Sequence, residues 1–273
     1  MVAPVVSRDW LEANREQVVL VDVRRDVGQQ RGAQAYAAGH APGAVLVHLE
    51  RWLSRSASPQ AGRHPLPEPE VFAEGMAQAG IGDHDVVVAY DDSQGVVAAR
   101  LVWMLRVTGH PAALLDGGSR LADGPQESGS PRRPRARFTA RPWPQERLAD
   151  LDEALAPTGV WLDARPAGRY AGEPDPLDPR PGHLPGARSL PCLEQVDADG
   201  LLLPDEALLA RLAGVGADGR SPVVSSCGSG VTACHTLLVL EHLGLPPGRL
   251  FAGSWSQYAS DPDRPVELGP DRR

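Results

Sequence analysis

The sequence predicts an α/β chain of two small domains in tandem, each a small parallel sheet flanked by helices. Three observations carry that expectation. Short motifs recur in the same order along the chain, short runs are wholly apolar or small, and each such run passes through a turn into a helical period. Wholly apolar short strands are those of parallel sheets covered on both faces, and strand–helix alternation supplies the covering.

The recurrences fix the domain plan. Val18–Arg24 (VVLVDVR) returns as Gly159–Arg165 (GVWLDAR), and Gly39–Ala44 (GHAPGA) returns as Gly182–Ala187 (GHLPGA). Val88–Gly118 lies over Val223–Gly253 without a gap, at an offset of 135 residues. Three blocks in one order mean two copies of one domain. Within the copies, Val86–Ala89 and Val223–Ser225 read as buried strands, and Ala98–Val107 and Thr232–Leu243 carry the i, i+3, i+4, i+7 apolar spacing of helices. The expected division is residues 1–126 for the first domain, 127–144 for a linker and 145–273 for the second. Residues 127–144 (ESGSPRRPRARFTARPWP) are rich in Pro, Arg and Ser, the composition of an extended, solvated connection.

Composition narrows the function. The chain has 273 residues, is 42% hydrophobic and 23% charged, and carries a net charge of −8. Its basic residues are scattered, which argues against nucleic acid as a partner. All 27 of them are arginine. Without lysine there is no Schiff-base lysine, no pyridoxal-phosphate lysine and no Walker-type phosphate loop. No apolar run has membrane-spanning length, and MVAPVVSRDWLEANRE lacks a signal-peptide pattern, so the expected location is the cytoplasm, with no membrane partner. The three cysteines, Cys192, Cys227 and Cys234, form no CxxC pair, so neither a disulfide framework nor a bound metal is expected.

Chemistry concentrates in VVSSCGSGVTACH, Val223–His235. A buried strand runs into Cys227, then into Gly228, Ser229, Gly230, Val231 and Thr232, and a helix follows. Ligands bind where parallel strands feed helices. Two glycines let the backbone turn its N–H groups inward, and such a nest at a helix start holds an anion. A cysteine so placed favours the thiolate, the form that acts as a nucleophile. Cys227 is therefore the candidate nucleophile and the five residues after it the anion-binding loop. Cys234 reads as core and Cys192 has no comparable setting, and a role as redox partner stays open for either. At the offset of 135, Asp92 stands where the second copy has Cys227, so the first domain lacks thiol chemistry and is expected to wall the cleft and lend stability. A Cys-x5-Arg phosphatase is excluded because Ala233, not arginine, follows six residues after Cys227.

Taken together, tandem domains with Asp at the first loop and Cys at the second resemble the two-domain rhodanese-type sulfurtransferases, over nearly the whole chain. The loop Cys227–Cys234 is similar to the version found in the mercaptopyruvate branch of that family, where Gly and Ser follow the cysteine; the thiosulfate version carries Arg and Lys there. Gly253-Ser254-Trp255-Ser256 with Tyr258 resembles the family signature GSW-S-(E/D)-(W/Y), with Gln257 departing from the usual acid. The resemblance implies rhodanese-like domains and a Cys227 persulfide that receives sulfur from 3-mercaptopyruvate and passes it to cyanide, a small thiol or thioredoxin. It implies no cofactor. Arg169, in Ala167–Tyr170, matches the arginine that contacts substrate in the mercaptopyruvate enzymes. Their second arginine is replaced by Leu177, which leaves Arg180 as the candidate for that pocket. Ser229 is a candidate hydrogen-bond donor or proton relay. His40 and His183, like Asp22 and Asp163, occur in both copies and read as structural. His64, in Arg63-His64-Pro65-Leu66-Pro67, is noted as a residue that could lie near the cleft, with no role assigned. Two alternatives stay open: thiosulfate as the donor, and a non-enzymatic persulfide carrier or binding module.

Overall fold

The computed structural model describes residues 2–26, 31–130 and 133–270. They form two compact units, each around a five-stranded parallel sheet. In the first unit the strands are β1 (Val5–Val6), β2 (Val18–Arg24), β3 (Val45–His48), β4 (Val86–Tyr90) and β5 (Ala112–Leu115), in the order β1-β5-β4-β2-β3. In the second they are β6 (Leu148–Ala149), β7 (Val160–Asp163), β8 (Arg188–Ser189), β9 (Val223–Ser226) and β10 (Arg249–Phe251), in the order β6-β10-β9-β7-β8. Strand for strand the two orders are the same. The helices of the first unit are α1 (Arg8–Ala13), α2 (Gly32–Ala38), α3 (Pro69–Gln78) and α4 (Ala98–Val107). Those of the second are α5 (Leu151–Leu155), α6 (Ala167–Ala171), α7 (Asp205–Gly214), α8 (Ala233–His242) and α9 (Ser254–Tyr258).

Burial explains the apolar runs. The central strand β4 and the helix after it, α4, are buried along nearly their whole length, and β9 and α8 repeat this. A helix buried on every side needs no polar stripe, which is why Leu237–Leu240 is uninterruptedly apolar. No helix among the described residues is long and apolar enough to cross a membrane.

The units are not consecutive halves of the sequence. The first takes residues up to Arg55, Leu66–Pro144 and Ala198–Leu202; the second takes Ser56–Pro65, Gln145–Asp197 and Leu203 onward. The stretch expected to be a solvated linker packs on the first unit; its residues 131–132 lie outside the described set. Ala136 N–H bonds Ala77 O at 3.1 Å, Thr139 N–H bonds the Asp83 carboxylate at 2.7 Å, and Arg141 donates to Thr108 O at 2.6 Å. Phe138 meets Phe72 edge-on at 5.8 Å, and Trp143 Nε1 donates to Pro67 O. An Arg- and Pro-rich segment can therefore be extended and still fastened, because guanidinium groups find carbonyls and proline leaves few N–H groups to satisfy.

The repeated GH-PGA motif is a lock built twice. His40 stacks on Tyr36 with ring centroids 3.8 Å apart, and His183 stacks on Tyr170 at 3.7 Å. Each histidine donates Nδ1–H to that tyrosine's carbonyl, at 2.9 and 2.8 Å. Each also pairs its backbone with a glutamate far along the chain, His40 with Glu127 and His183 with Glu267. Those glutamates return a carboxylate to the turn amides of Gly43 and Gly186. Both imidazoles are thus committed to structure.

Candidate active site

Residues 227–232 bridge the end of β9 and the start of α8. The strand end is fixed by hydroxyls: Ser226 Oγ donates to Leu162 O at 2.9 Å and Ser225 Oγ to Ala233 O at 3.0 Å. Gly230 has φ +76°, and a Cβ there would lie 2.4 Å from Ala252 O, so only glycine closes this turn. The result is a ring of backbone around Cys227, whose side chain accepts N–H bonds from Ser229 at 3.4 Å and Gly230 at 3.1 Å. Cys227 is 2% exposed.

The far side of the ring is held by the Gly253–Ser256 turn. Cys227 N–H donates to Ser254 Oγ at 3.1 Å, and that hydroxyl donates to Phe251 O at 2.8 Å. Trp255 N–H and Ser256 N–H donate to the carbonyls of Cys227 and Gly228, at 3.0 and 2.9 Å. Ser254 adopts φ +51°, a left-handed conformation rarely taken by a residue with a side chain. Its two hydrogen bonds, in and out, hold it there.

Ser56–Pro65 belongs to this second unit and lies along the same turn. Gly62 (φ +89°) presses flat on Gly253, its would-be Cβ 2.6 Å from Gly253 O. Arg63 N–H donates to Ser256 Oγ at 2.9 Å, Gln257 Nε2 to Gln60 O at 2.5 Å and Ser260 Oγ to Pro59 O at 2.9 Å. This strap brings two side chains to the loop. His64 Nδ1 is 2.8 Å from Ser229 Oγ, and Arg63 Nη2 lies 3.2 Å from where a Gly228 Cβ would be. Burial lowers the affinity of Arg63 for its proton, an effect the negative charge of Cys227 opposes and neighbouring Arg169 reinforces. The group stays cationic, as arginine does in proteins.

Arg169 reaches the loop from α6, its Nη2 3.1 Å from the same Gly228 position. A side chain at Gly228 would crowd both guanidinium groups. Asp178 holds Arg169 by two bonds, at 3.0 and 2.5 Å, and Asp175 stands 3.4 Å away. Asp178 also meets Arg165 at 3.1 Å, and Arg165 is otherwise spent on Asp163 and Gly182 O. The repeated Asp-x-Arg strand end is thus a buried fork, as expected of a structural pair.

Arg180 is not brought to this pocket. Its Nη1 and Nη2 donate to Pro262 O at 3.0 Å and Arg264 O at 2.7 Å, pinning that loop, and its carbonyl accepts from Trp255 Nε1. The arginine that accompanies Arg169 is Arg63. It comes from a segment that sequence order assigns to the first copy, and the sequence carries no signal that would bring it to Ser229. Cys234 donates to Gly230 O at 3.4 Å within the core. Burial, with the Cys227 charge adding to it, pushes the Cys192 thiol up to about 12, which makes it a poor nucleophile.

The first unit fills the equivalent nest with its own carboxylate. The Asp91 oxygens accept N–H bonds from Ser93 and Gly95 at 2.7 and 2.8 Å, and from Val97 and Ala98 at 2.7 Å each. Burial raises the Asp91 carboxyl, and these four bonds work against that rise. Asp92, which aligns with Cys227, points instead to Arg24 at 2.5 Å. Two residues with the same sequence letter have divided the roles of anion and surface partner.

Residues 7–120 and 145–261 each match the family model of the rhodanese-like domain. The chain belongs to the rhodanese family. Among curated rhodanese relatives, it is similar to the 3-mercaptopyruvate sulfurtransferase of Escherichia coli, 37% identical over 278 residues that cover 96% of this chain and 97% of the relative. It is also similar to "Thiosulfate/3-mercaptopyruvate sulfurtransferase 1, mitochondrial" of Arabidopsis thaliana, 32% identical over 298 residues, 97% of this chain and 78% of that one. Among solved structures, 3-mercaptopyruvate sulfurtransferase from Leishmania major superposes with a TM-score of 0.83 at 31% identity, covering 94% of this chain and 74% of that one. The tandem of two parallel α/β sheets is the rhodanese architecture in both copies.

Proposed function

We propose that this rhodanese-family chain moves a sulfane sulfur from 3-mercaptopyruvate, through a persulfide on Cys227, to a thiophilic acceptor. The observation that carries this reading is the Cys227 sulfur inside a backbone ring, accepting N–H bonds from Ser229 and Gly230 while Arg63 and Arg169 converge over Gly228. Gly228, Val231 and Thr232 complete the ring. The two guanidinium groups suit the carboxylate and ketone of a 2-oxo acid, and a forked donor geometry orients it with its sulfur toward Cys227.

In the first step the Cys227 thiolate attacks the donor sulfur, and an S–S bond forms. The carbon–sulfur bond breaks with its electron pair going to the enolate carbon of pyruvate. The proton of the donor thiol ends on that carbon, so the products are pyruvate and an anionic persulfide, with no proton gained or lost overall. Ser229 Oγ, 2.8 Å from His64 Nδ1, is the group placed to relay it. Backbone N–H groups hold the outer sulfur's charge without a cofactor. In the second step the acceptor attacks the outer sulfur and releases Cys227 as thiolate. Cyanide, a small thiol or the thiol of a thioredoxin each meets that chemical requirement.

Thiosulfate is the second reading, favoured by the double name of the plant relative. The loop carries no cation of its own at Gly228 and Ser229 to meet a dianion, which ranks thiosulfate below mercaptopyruvate. Steady-state transfer to cyanide from each donor tests the proposal, with Cys227→Ser alongside. A higher kcat/KM with 3-mercaptopyruvate, lost by at least about a thousandfold in Cys227→Ser, is expected because no other group supplies the nucleophile. Activity retained by Cys227→Ser would overturn the proposal.

A further inference from the structure

Among the described residues, three guanidinium groups and three carboxylates crowd the approach to Cys227. Arg63 and Arg169 stand over Gly228, and Arg165 lies behind them. Against these are Asp163, held by Arg165, and Asp175 and Asp178, both on Arg169. The charges cancel. Asp178 is the central member, its side chain 4% exposed, and it bridges Arg165 and Arg169. Its charge and that of Asp175 are felt at Arg63 as well.

Cancellation has a consequence for the donor. With Cys227 ionised, the pocket is negative by one charge, and each further negative charge on an incoming donor is disfavoured. A 2-oxo acid brings one charge and thiosulfate brings two. We infer that Asp178, seconded by Asp175, is a specificity-determining residue that selects monoanionic over dianionic sulfur donors by neutralising the pocket arginines. It acts through Arg169 and the field, and need not touch the donor. This rests on the sulfurtransferase reading above. Sequence alone did not reach it, because Leu177 draws attention to a missing cation, whereas the structure adds Arg63 and then balances it.

The test compares donors of different charge in wild type, Asp178→Asn, Asp178→Glu and Asp175→Asn, each as the full chain with cyanide as acceptor. Removing one carboxylate strengthens the attraction for thiosulfate by one more unit charge than for 3-mercaptopyruvate. At ~6–10 Å and an effective dielectric constant of ~20–40, the ratio of kcat/KM for thiosulfate over 3-mercaptopyruvate rises roughly tenfold in Asp178→Asn. In Asp175→Asn, whose side chain is 25% exposed and screened, the rise is about two- to fivefold. Asp178→Glu keeps the charge and keeps the wild-type ratio. A purely structural role lowers both donors alike and leaves the ratio unmoved, and that result overturns the inference. Asp175→Asn, at a partly exposed position, gives the same reading if Asp178→Asn does not fold. Wild type inactive with both donors would instead sink the sulfurtransferase reading itself.

Discussion

Replacing Asp91 with asparagine changes one oxygen to an amide and almost nothing in shape, yet it strikes a buried side chain that accepts four backbone N–H bonds. Two N–H groups point at each Asp91 oxygen, all within 2.8 Å. An asparagine serves one pair and turns its own NH2 toward the other, whichever way it flips. Two buried donors then lose their acceptor, at ~1–3 kcal/mol each, and the remaining pair loses the strength that the charge confers. The expected loss is about 3–5 kcal/mol from the first unit. That lowers its calorimetric transition by roughly 10–20 °C, since a domain of this size shifts ~3–5 °C per kcal/mol. Asp92→Asn is the internal comparison. Its side chain is 50% exposed and its partner is Arg24, so it costs under ~1 kcal/mol. An Asp91→Asn transition within two or three degrees of wild type, or an equal effect of Asp92→Asn, would falsify the reading of Asp91 as the anion of this nest.

Two further outcomes follow from single side chains. Gln257 anchors the strap by donating Nε2–H to Gln60 O, which a glutamate cannot do. Gln257→Glu is therefore expected to raise KM for the donor about three- to tenfold, the equivalent of one hydrogen bond of ~1 kcal/mol, with a smaller change in kcat; an unchanged KM removes the strap from the account of the site. His235 lies fully buried on α8, and burial pushes its imidazole down to about 4. The unfolded chain, titrating near ~6.5, binds the proton first as pH falls, so stability present above that pH is lost between it and about 4. Between pH 7.5 and 5 the loss is about 2 kcal/mol, read from urea midpoints, and His235→Leu is expected to flatten that part of the profile.

Much of this molecule was legible because its information is local. Strand runs such as Val86–Tyr90, the start of α4 at Ala98 and the glycines of the Cys227 loop all answer to neighbours a few residues away. What sequence missed is long-range or a matter of one bond's reach. Arg63 arrives at the loop beside His64, the one residue of that segment noted as near the cleft, and His64 is 165 residues from Ser229 on a stretch with no periodicity. Arg180 has the right charge near the right place, yet two carbonyls of another loop claim it. The Arg-rich connection looks solvated by composition, and only the carbonyls and carboxylates opposite it show that it is fastened.

The case of Asp91 and Asp92 marks where alignment of a repeat stops. The backbone correspondence is sound, since Ala98 and Ala233, separated by the same offset of 135, begin equivalent helices. It makes Asp92 the counterpart of Cys227 and Asp91 the counterpart of Ser226. The nest, however, is satisfied by whichever side chain can place a hydrogen-bond acceptor at its centre. In the second unit sulfur does so directly from Cys227, while Ser226 turns away to Leu162 O. In the first, the carboxylate of the preceding residue reaches the same amides, with one donor, Ala98, drawn from the helix start itself. An unoccupied ring of inward N–H groups would be costly when buried. The copy without a thiol therefore needs another acceptor at the centre of its ring, and the Asp91 carboxylate supplies it. In the second copy the Cys227 sulfur takes that place, accepting from Ser229 and Gly230.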